Sequence, residues 1–148
     1  MKLSIITINL NNAEGLRKTI ESLIAQTNSD FEYLVIDGAS TDESVYVIRR
    51  FTYKITYWLS EPDNGIYNAM NKGILKATGE YCLFLNSGDC LADENVIADF
   101  ISRGFSEDIV SGNITVTEDR SLAWESITKP DFTYKFFYVD SLPHSATF

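Results

Sequence analysis

Nitrogen and sulfur ligands are scarce in this chain. It has one histidine, His144, and two cysteines, Cys82 and Cys90. A structural zinc site draws its ligands from clustered Cys and His, so zinc is excluded as a fold-holding ion. Two cysteines do not make a disulfide framework either, and they read as reduced thiols, with Cys82 packed in an apolar run. A cytoplasmic, reducing setting is expected. Positive charge is also short: 12 Lys and Arg stand against 21 Asp and Glu, a formal net charge of −9. That balance excludes nucleic acid or an anionic membrane surface as the main partner. No apolar run is long enough to span a bilayer. The amino terminus enters a strand pattern at once, so no signal peptide is expected.

What remains is a chain of 148 residues, 45% of them hydrophobic, which is enough for a domain with a core and too apolar for disorder. Strand and helix patterns alternate along it. Lys2 to Asn9 is a β-branched run that predicts a first buried strand. Asn11 and Glu14 have capping-box spacing, and Leu16, Ile20, Leu23 and Ile24 form one helical face ending near Gln26. Phe31 to Ile36 predicts a second strand ending on Asp37-Gly38. Ser40 and Glu43 repeat the capping-box spacing before a helix through about Phe51, with Val45, Ile48 and Phe51 as its apolar face. Ile55 to Leu59 predicts a third strand. Pro62 and Gly65 mark a turn, and Ile66, Met70, Ile74 and Ala77 recur at helical spacing up to Gly79.

Tyr81 to Leu85 suits a strand buried on both faces, ending in Asn86-Ser87-Gly88-Asp89. Asp93 is placed to cap a helix carrying Val96, Ile97, Phe100 and Ile101, with Gly104 just past its end. Ile109 and Val110 predict a short strand. Ile114 to Val116 and Leu122 to Trp124 predict a hairpin, and Pro130 to Val139 a short aromatic helix. The alternation predicts an α/β fold with a mostly parallel sheet. Such sheets bind ligands beyond the carboxyl ends of their strands. Those ends carry Thr7 and Asn9, Asp37, and Asn86 with Asp89, so separate segments should meet in one crevice. The loop after the first strand lacks both Gly-x-Gly-x-x-Gly and a Walker lysine, which excludes a dinucleotide oxidoreductase and a P-loop enzyme. It also lacks the acidic pair of a receiver domain and the Gly-rich basic loop of a nucleotidyltransferase.

Three segments carry a resemblance: Ser4-Ile5-Ile6-Thr7-Ile8-Asn9, Tyr33-Leu34-Val35-Ile36-Asp37-Gly38-Ala39-Ser40-Thr41-Asp42, and Glu61 to Asp89. In order and spacing they resemble family 2 glycosyltransferases with a GT-A fold, bacterial enzymes that build cell-surface polysaccharides. The resemblance covers roughly the first two-thirds of the chain. It implies a Rossmann-like nucleotide-sugar-binding part over 1–112 and the start of an acceptor part over 113–148, within one GT-A domain. The apolar close on Phe148 suggests a chain that stops inside an element. The resemblance also implies a nucleoside-diphosphate sugar donor, a carbohydrate or lipid-linked acceptor, and Mn2+ or Mg2+ as cofactor. It fits a cytoplasmic location at the inner face of the membrane, with peripheral association through a further carboxyl-terminal part.

By the same resemblance, Thr7 and Asn9 would line the base pocket and Asp37 would accept a hydrogen bond from base or ribose. Asp63, Gly65 and Tyr67 would form the turn over the nucleotide, and Lys72 would face either the phosphates or water. Asn86 would reach a ribose hydroxyl, and Asp89 would hold the cation. Only Asp89 keeps a carboxylate in Asn86-Ser87-Gly88-Asp89, so tight metal binding without nucleotide is not expected. Glu125, Asp131, Asp140 and His144 are candidates for the acceptor side and the general base. Plainer readings stand beside these. Asp37 also suits a helix cap, Asp89 a turn, Lys72 a solvated face, and Tyr67, Met70 and His144 plain packing. A non-catalytic nucleotide-sugar-binding module of the same fold is the second functional reading.

Overall fold

The structure is a computed structural model that describes residues 3–106, 108–110, 112–118 and 121–126. The order is β1 (Leu3–Asn9), α1 (Ala13–Ile24), β2 (Phe31–Asp37), α2 (Ser44–Arg50), β3 (Tyr57–Ser60), α3 (Ile66–Ile74), β4 (Tyr81–Phe84), α4 (Val96–Arg103), β5 (Ile114–Glu118) and β6 (Ser121–Ser126). β1 to β4 make one parallel sheet in the order β3-β2-β1-β4, and β5 pairs antiparallel with β6. The expected hairpin is therefore present. The expected aromatic helix at 130–139 lies outside the described residues.

Alternation along the central strands explains the layers. Leu3 and Ile5 of β1, with Tyr33 and Val35 of β2, pack under Leu16, Ile20, Ile48, Ile97 and Phe100, from α1, α2 and α4. Ile6, Ile8, Leu34 and Ile36 point to the other face and meet α3 at Ala69. A strand with apolar residues at both parities is the pattern of a sheet covered on both sides.

Several local expectations are corrected. Asn12, not Asn11, caps α1 by accepting from Gly15 N at 3.0 Å. Asn11 takes a positive φ of 50° and accepts from Thr41 N instead. Ser40 caps no helix; its hydroxyl turns to Asp37, and Asp42 accepts from Ser44 N at the start of α2. The face of α2 centres on Val47 and Ile48. Asp93 turns onto Asn95 N, one residue ahead of α4, and Gly104 ends that helix in the left-handed conformation. β3 starts at Tyr57 and not at Ile55. Ile109 and Val110 form no strand, and Ile109 is exposed. β4 lies at one end of the four-strand order, and only Leu83 within it is buried.

The largest correction concerns α3. Its predicted face included Ile66 and Ile74, yet these are 51% and 48% exposed. The buried positions are Ala69 and Gly73. Small residues four apart let the helix backbone settle onto the sheet: a Cβ on Gly73 would sit 2.5 Å from Ile6 Cγ2. Gly73→Ala should therefore destabilise the protein despite better helix propensity. The propensity gain is about 1 kcal/mol, while overpacking a filled core costs about 1–3 kcal/mol. Urea denaturation should show a lower midpoint for this variant; a raised midpoint would mean that α3 does not press on Ile6.

Glu32, buried at the amino end of β2, accepts from Ser4 Oγ at 2.6 Å and from Gly79 N at 3.1 Å. It ties the turn after α3 to the sheet and so sets where β4 begins. Burial is the main cause holding the neighbouring Cys82 thiol above its ordinary pKa, and the Glu32 charge adds to it. Cys82 and Cys90 are both free thiols.

Candidate functional site

In the order β3-β2-β1-β4, the chain runs outward from β1 to β3 and then returns to the other side of β1. The carboxyl ends of β1 and β4 therefore flank a topological switch point, where open α/β sheets leave a crevice. A cleft of about 350 Å³ lies there. Ile8 and Asn9 line it from β1, Leu10 and Asn12 from the loop after it, Asn86 and Ser87 from the segment after β4, and Gly38 from just past β2. Asp63, Gly65, Ile66 and Ala69 close it from the turn before α3 and from α3 itself. Pairing beyond β4 sets the second wall: Leu85 N donates to Ile6 O and Ser87 N to Ile8 O, at 3.0 and 3.3 Å.

Asp37 organises the wall without touching the cleft. It is fully buried. Its Oδ1 accepts from Asn9 Nδ2 at 2.8 Å and from Ser40 Oγ at 2.5 Å. Its Oδ2 accepts from Ser40 N at 3.0 Å and from Ser60 Oγ at 2.6 Å. A carboxylate of this kind only accepts, so the amide NH2 of Asn9 must face it. Asn9 Oδ1 is thereby turned away, and it is buried with no hydrogen-bond partner. Ser87 Oγ, on the opposite wall, is likewise buried and unpartnered. Native structures seldom leave such atoms unsatisfied; ordered water, an ion or a ligand group ordinarily answers them.

The other predicted residues divide. Thr7 lies beneath the cleft, not on it: it is fully buried, donates to Leu85 O at 2.7 Å and accepts from Tyr33 OH at 3.0 Å. Burial raises the pKa of that Tyr33 hydroxyl far above its ordinary range. Thr7 is two residues deeper in β1 than Asn9 on the same face, which puts it under the covering residue and away from the edge. Asp63 lines the cleft and reaches over Gly38, where a side chain would crowd its Oδ2 at 3.1 Å. Gly65 lines it at φ 97°, a conformation only glycine adopts freely. Tyr67 is 77% exposed and does not line the cleft. Lys72 does not line the cleft; its side chain is partly buried at the surface of the turn before α3. Its ammonium pairs with Asp63, with Glu61 at 2.9 Å and with Pro62 O at 3.0 Å, and these partners raise its pKa, Asp63 first. Asp140 and His144 lie outside the described residues.

Asp89 sits two residues past the cleft-lining Ser87, at the end of a turn closed by Asp89 N donating to Asn86 O at 2.9 Å. Gly88 makes that turn with a φ of 108°. No described residue group gathers three or more acidic, His or Cys side chains into a ready metal cage. Of the described residues that line the cleft, none is Lys or Arg.

The family model for glycosyl transferase family 2 matches residues 4–146. This chain belongs to that family. The family 2 chain is 34% identical over 155 residues to an uncharacterised glycosyltransferase of Mycobacterium tuberculosis, covering 98% of this chain and 57% of the relative. It is 31% identical over 151 residues to a PGL/p-HBAD biosynthesis glycosyltransferase of Mycobacterium bovis, again with 98% and 57% coverage. The chain thus spans just over half the length of the curated relatives it matches. Among solved structures it is similar to S. aureus TarS 1-349 in complex with UDP-GlcNAc, at 25% identity and a TM-score of 0.62, covering 69% of this chain and 30% of that one. It also resembles in fold the mannosyltransferase PcManGT of Pyrobaculum calidifontis in complex with GDP-Man and Mn2+, at 18% identity and a TM-score of 0.63, over 78% and 35% of the two chains. The family 2 fold, GT-A, is therefore the α/β fold expected from the strand and helix pattern.

Two features of this family 2 site escaped the sequence reading. One is Ser40 with Ser60, which complete the coordination of Asp37. The other is a polar stripe along α1 and its two ends, Asn12, Thr19, Ser22 and Gln26, which grips residues 86–97. A periodicity count made on polar positions as well as apolar ones would have found the stripe, because its spacings of three, four and seven are helical.

Proposed function

We propose that the chain forms the donor-binding part of an enzyme that moves a sugar from a nucleoside diphosphate to a carbohydrate or lipid-linked acceptor. The observation that carries this reading is the switch-point cleft, with Asn9 Oδ1 fixed and unpartnered on one wall and the Asp89 turn beside the other. Family membership supports it, as do the nucleotide sugars held by TarS and PcManGT.

Asp37 would act through Asn9. By holding the amide nitrogen it would keep Asn9 Oδ1 free to accept from a ring N–H, such as those of uracil and guanine. A base lacking that N–H would leave a buried acceptor unpaired, which discriminates strongly. Asp63, held by Lys72, and the Gly65 turn would cover the nucleotide, and Asn86 would reach the ribose. Thr7 would support the wall from beneath.

The net charge of −9 and the absence of basic side chains among the described lining residues mean that those residues give a diphosphate no counter-charge. Asp89 fits a Mg2+ or Mn2+ ion that arrives with the nucleotide, since such ions take one or two carboxylates, phosphate oxygens and waters. When bound, the ion would offset the charge that grows on the leaving diphosphate. In-line attack by an acceptor hydroxyl would invert the anomeric carbon, with a base on the acceptor side, for which Asp140 and His144 are the candidates. No helix among the described residues is long and apolar enough to cross a membrane. A cytoplasmic site, with any membrane contact made peripherally outside this chain, belongs to the same proposal.

Incubating the full chain with UDP- and GDP-sugars, Mn2+ and an acceptor mixture, and measuring released nucleoside diphosphate, tests the enzymatic reading. Release that depends on acceptor is expected. Binding of the sugar nucleotides with no release would favour the non-catalytic module instead.

A further inference from the structure

The Asn86–Asp89 turn, closed by its own Asp89 N to Asn86 O bond, is also held from behind by helix α1. Thr19 lies in the middle of α1 and is fully buried, although polar. Its hydroxyl meets the turn at three points: Asp89 O at 2.8 Å, Asn86 O at 3.2 Å, and Gly88 N, which donates to it at 3.0 Å. A hydroxyl has one proton and two lone pairs. The proton goes to the shortest acceptor, Asp89 O, in preference to Gly15 O at 3.1 Å, the bond that a helical threonine ordinarily makes to the preceding turn. A lone pair takes Gly88 N. The backbone on both sides of the Gly88–Asp89 peptide is thus fixed by a single side-chain oxygen.

Neighbours on the same stripe extend the grip. Asn12 Nδ2 donates to Ser87 O at 3.0 Å, Ser22 Oγ accepts from Leu91 N at 3.4 Å, and Gln26 Nε2 donates to Asp93 O at 2.6 Å. Gly15 belongs to this arrangement, because a Cβ there would fall 2.3 Å from Asn12 Nδ2 and push it off Ser87. These contacts fix the backbone on both sides of Asp89. They fit a turn whose terminal carboxylate must arrive in one orientation.

We infer that Thr19 is a positioning residue for the cation site, aiming the Asp89 carboxylate from behind. The inference rests on the reading that Asp89 binds the cation. Groups that orient a metal ligand from behind cost about 10–100-fold in metal affinity when removed. A threonine to valine change keeps the shape and deletes the hydroxyl alone.

The test measures Mn2+ affinity of the full chain by electron paramagnetic resonance at saturating UDP or GDP, and nucleotide affinity separately in EDTA. Thr19→Val should weaken Mn2+ binding about tenfold and nucleotide affinity in EDTA by far less. Thr19→Ser, which keeps the hydroxyl, should bind Mn2+ as the native chain does. Asp89→Asn is the control for the underlying reading. If Asp89→Asn loses Mn2+ and Thr19→Val does not, the positioning role is overturned and the metal reading survives. If Asp89→Asn binds Mn2+ normally, the metal reading fails and this inference with it. A Thr19→Val chain that loses nucleotide affinity in EDTA to the same extent as Mn2+ affinity would reduce Thr19 to general structure. Should Thr19→Val not fold, Thr19→Cys replaces it, since a thiol fills the space but donates only weakly; native Mn2+ affinity in that variant overturns the inference.

Discussion

Asp37→Ala should lower the thermal midpoint by roughly 6–12 °C, the largest stability loss expected at any site residue. The substitution removes the acceptor of the Ser40 amide and hydroxyl and of the Ser60 hydroxyl, and leaves the Asn9 amide only Ser40 Oγ at 3.2 Å. A fully buried stranded group costs about 1–3 kcal/mol, and these part-buried ones cost less. Water entering the space left by the side chain will recover part of that, so a net loss of about 3 kcal/mol is the working figure. In a chain of this size that is roughly 2–4 °C per kcal/mol. Asp37→Asn separates the two duties of the residue. It keeps the shape but puts one NH2 where a carboxylate oxygen stood, so it opposes either the Asn9 NH2 or the Ser40 N–H. The fold should survive with a smaller loss, and nucleotide affinity should fall, by up to about tenfold, only to the extent that the NH2 faces Asn9. Calorimetric melting and nucleotide titration read the two effects. A chain with Asp37→Ala that melts as the native protein does would show that the network carries no weight.

Asp89→Asn should remove the manganese-dependent part of nucleotide binding. Outer groups around a metal ligand are worth about 10–100-fold in affinity, and losing a carboxylate that is itself a ligand should exceed that. In melting experiments with nucleotide and Mn2+ the difference is large. A ligand present at a hundred times its dissociation constant stabilises by about 2.7 kcal/mol, or roughly 5–11 °C here. The variant should retain only the shift that nucleotide produces in EDTA. An undiminished response to Mn2+ would place the cation on other residues.

Much of the frame was legible because burial on both faces writes itself as continuous β-branched runs. Leu3 to Asn9 and Phe31 to Asp37 are such runs, and their polar ends located the cleft edge. The face of α3 was not legible. It packs through Ala69 and Gly73, and a face made by absence of side chain carries no apolar signal, while Ile66 and Ile74 carry a false one. Caps were misplaced by one or more residues where several Asn, Asp or Ser stood together, each chemically able to cap.

That residues near positions 9, 37 and 86 gather at one edge of the sheet was legible from their strand ends. Their division of labour was not, because it depends on contacts between distant segments. Ser60 reaching Asp37 and Thr19 reaching Asp89 join residues 23 and 70 positions apart. Lys72 looked like a lysine waiting for phosphate or water, and only the fold shows it committed to Asp63 and Glu61.

The most direct test of the account is the thermal midpoint of the native chain in millimolar UDP or GDP, with Mn2+ and with EDTA. The account predicts a rise with at least one of these nucleotides, larger with Mn2+ than with EDTA, and none with a base that lacks a ring N–H. A midpoint that no nucleoside diphosphate moves, with or without the metal, would contradict it.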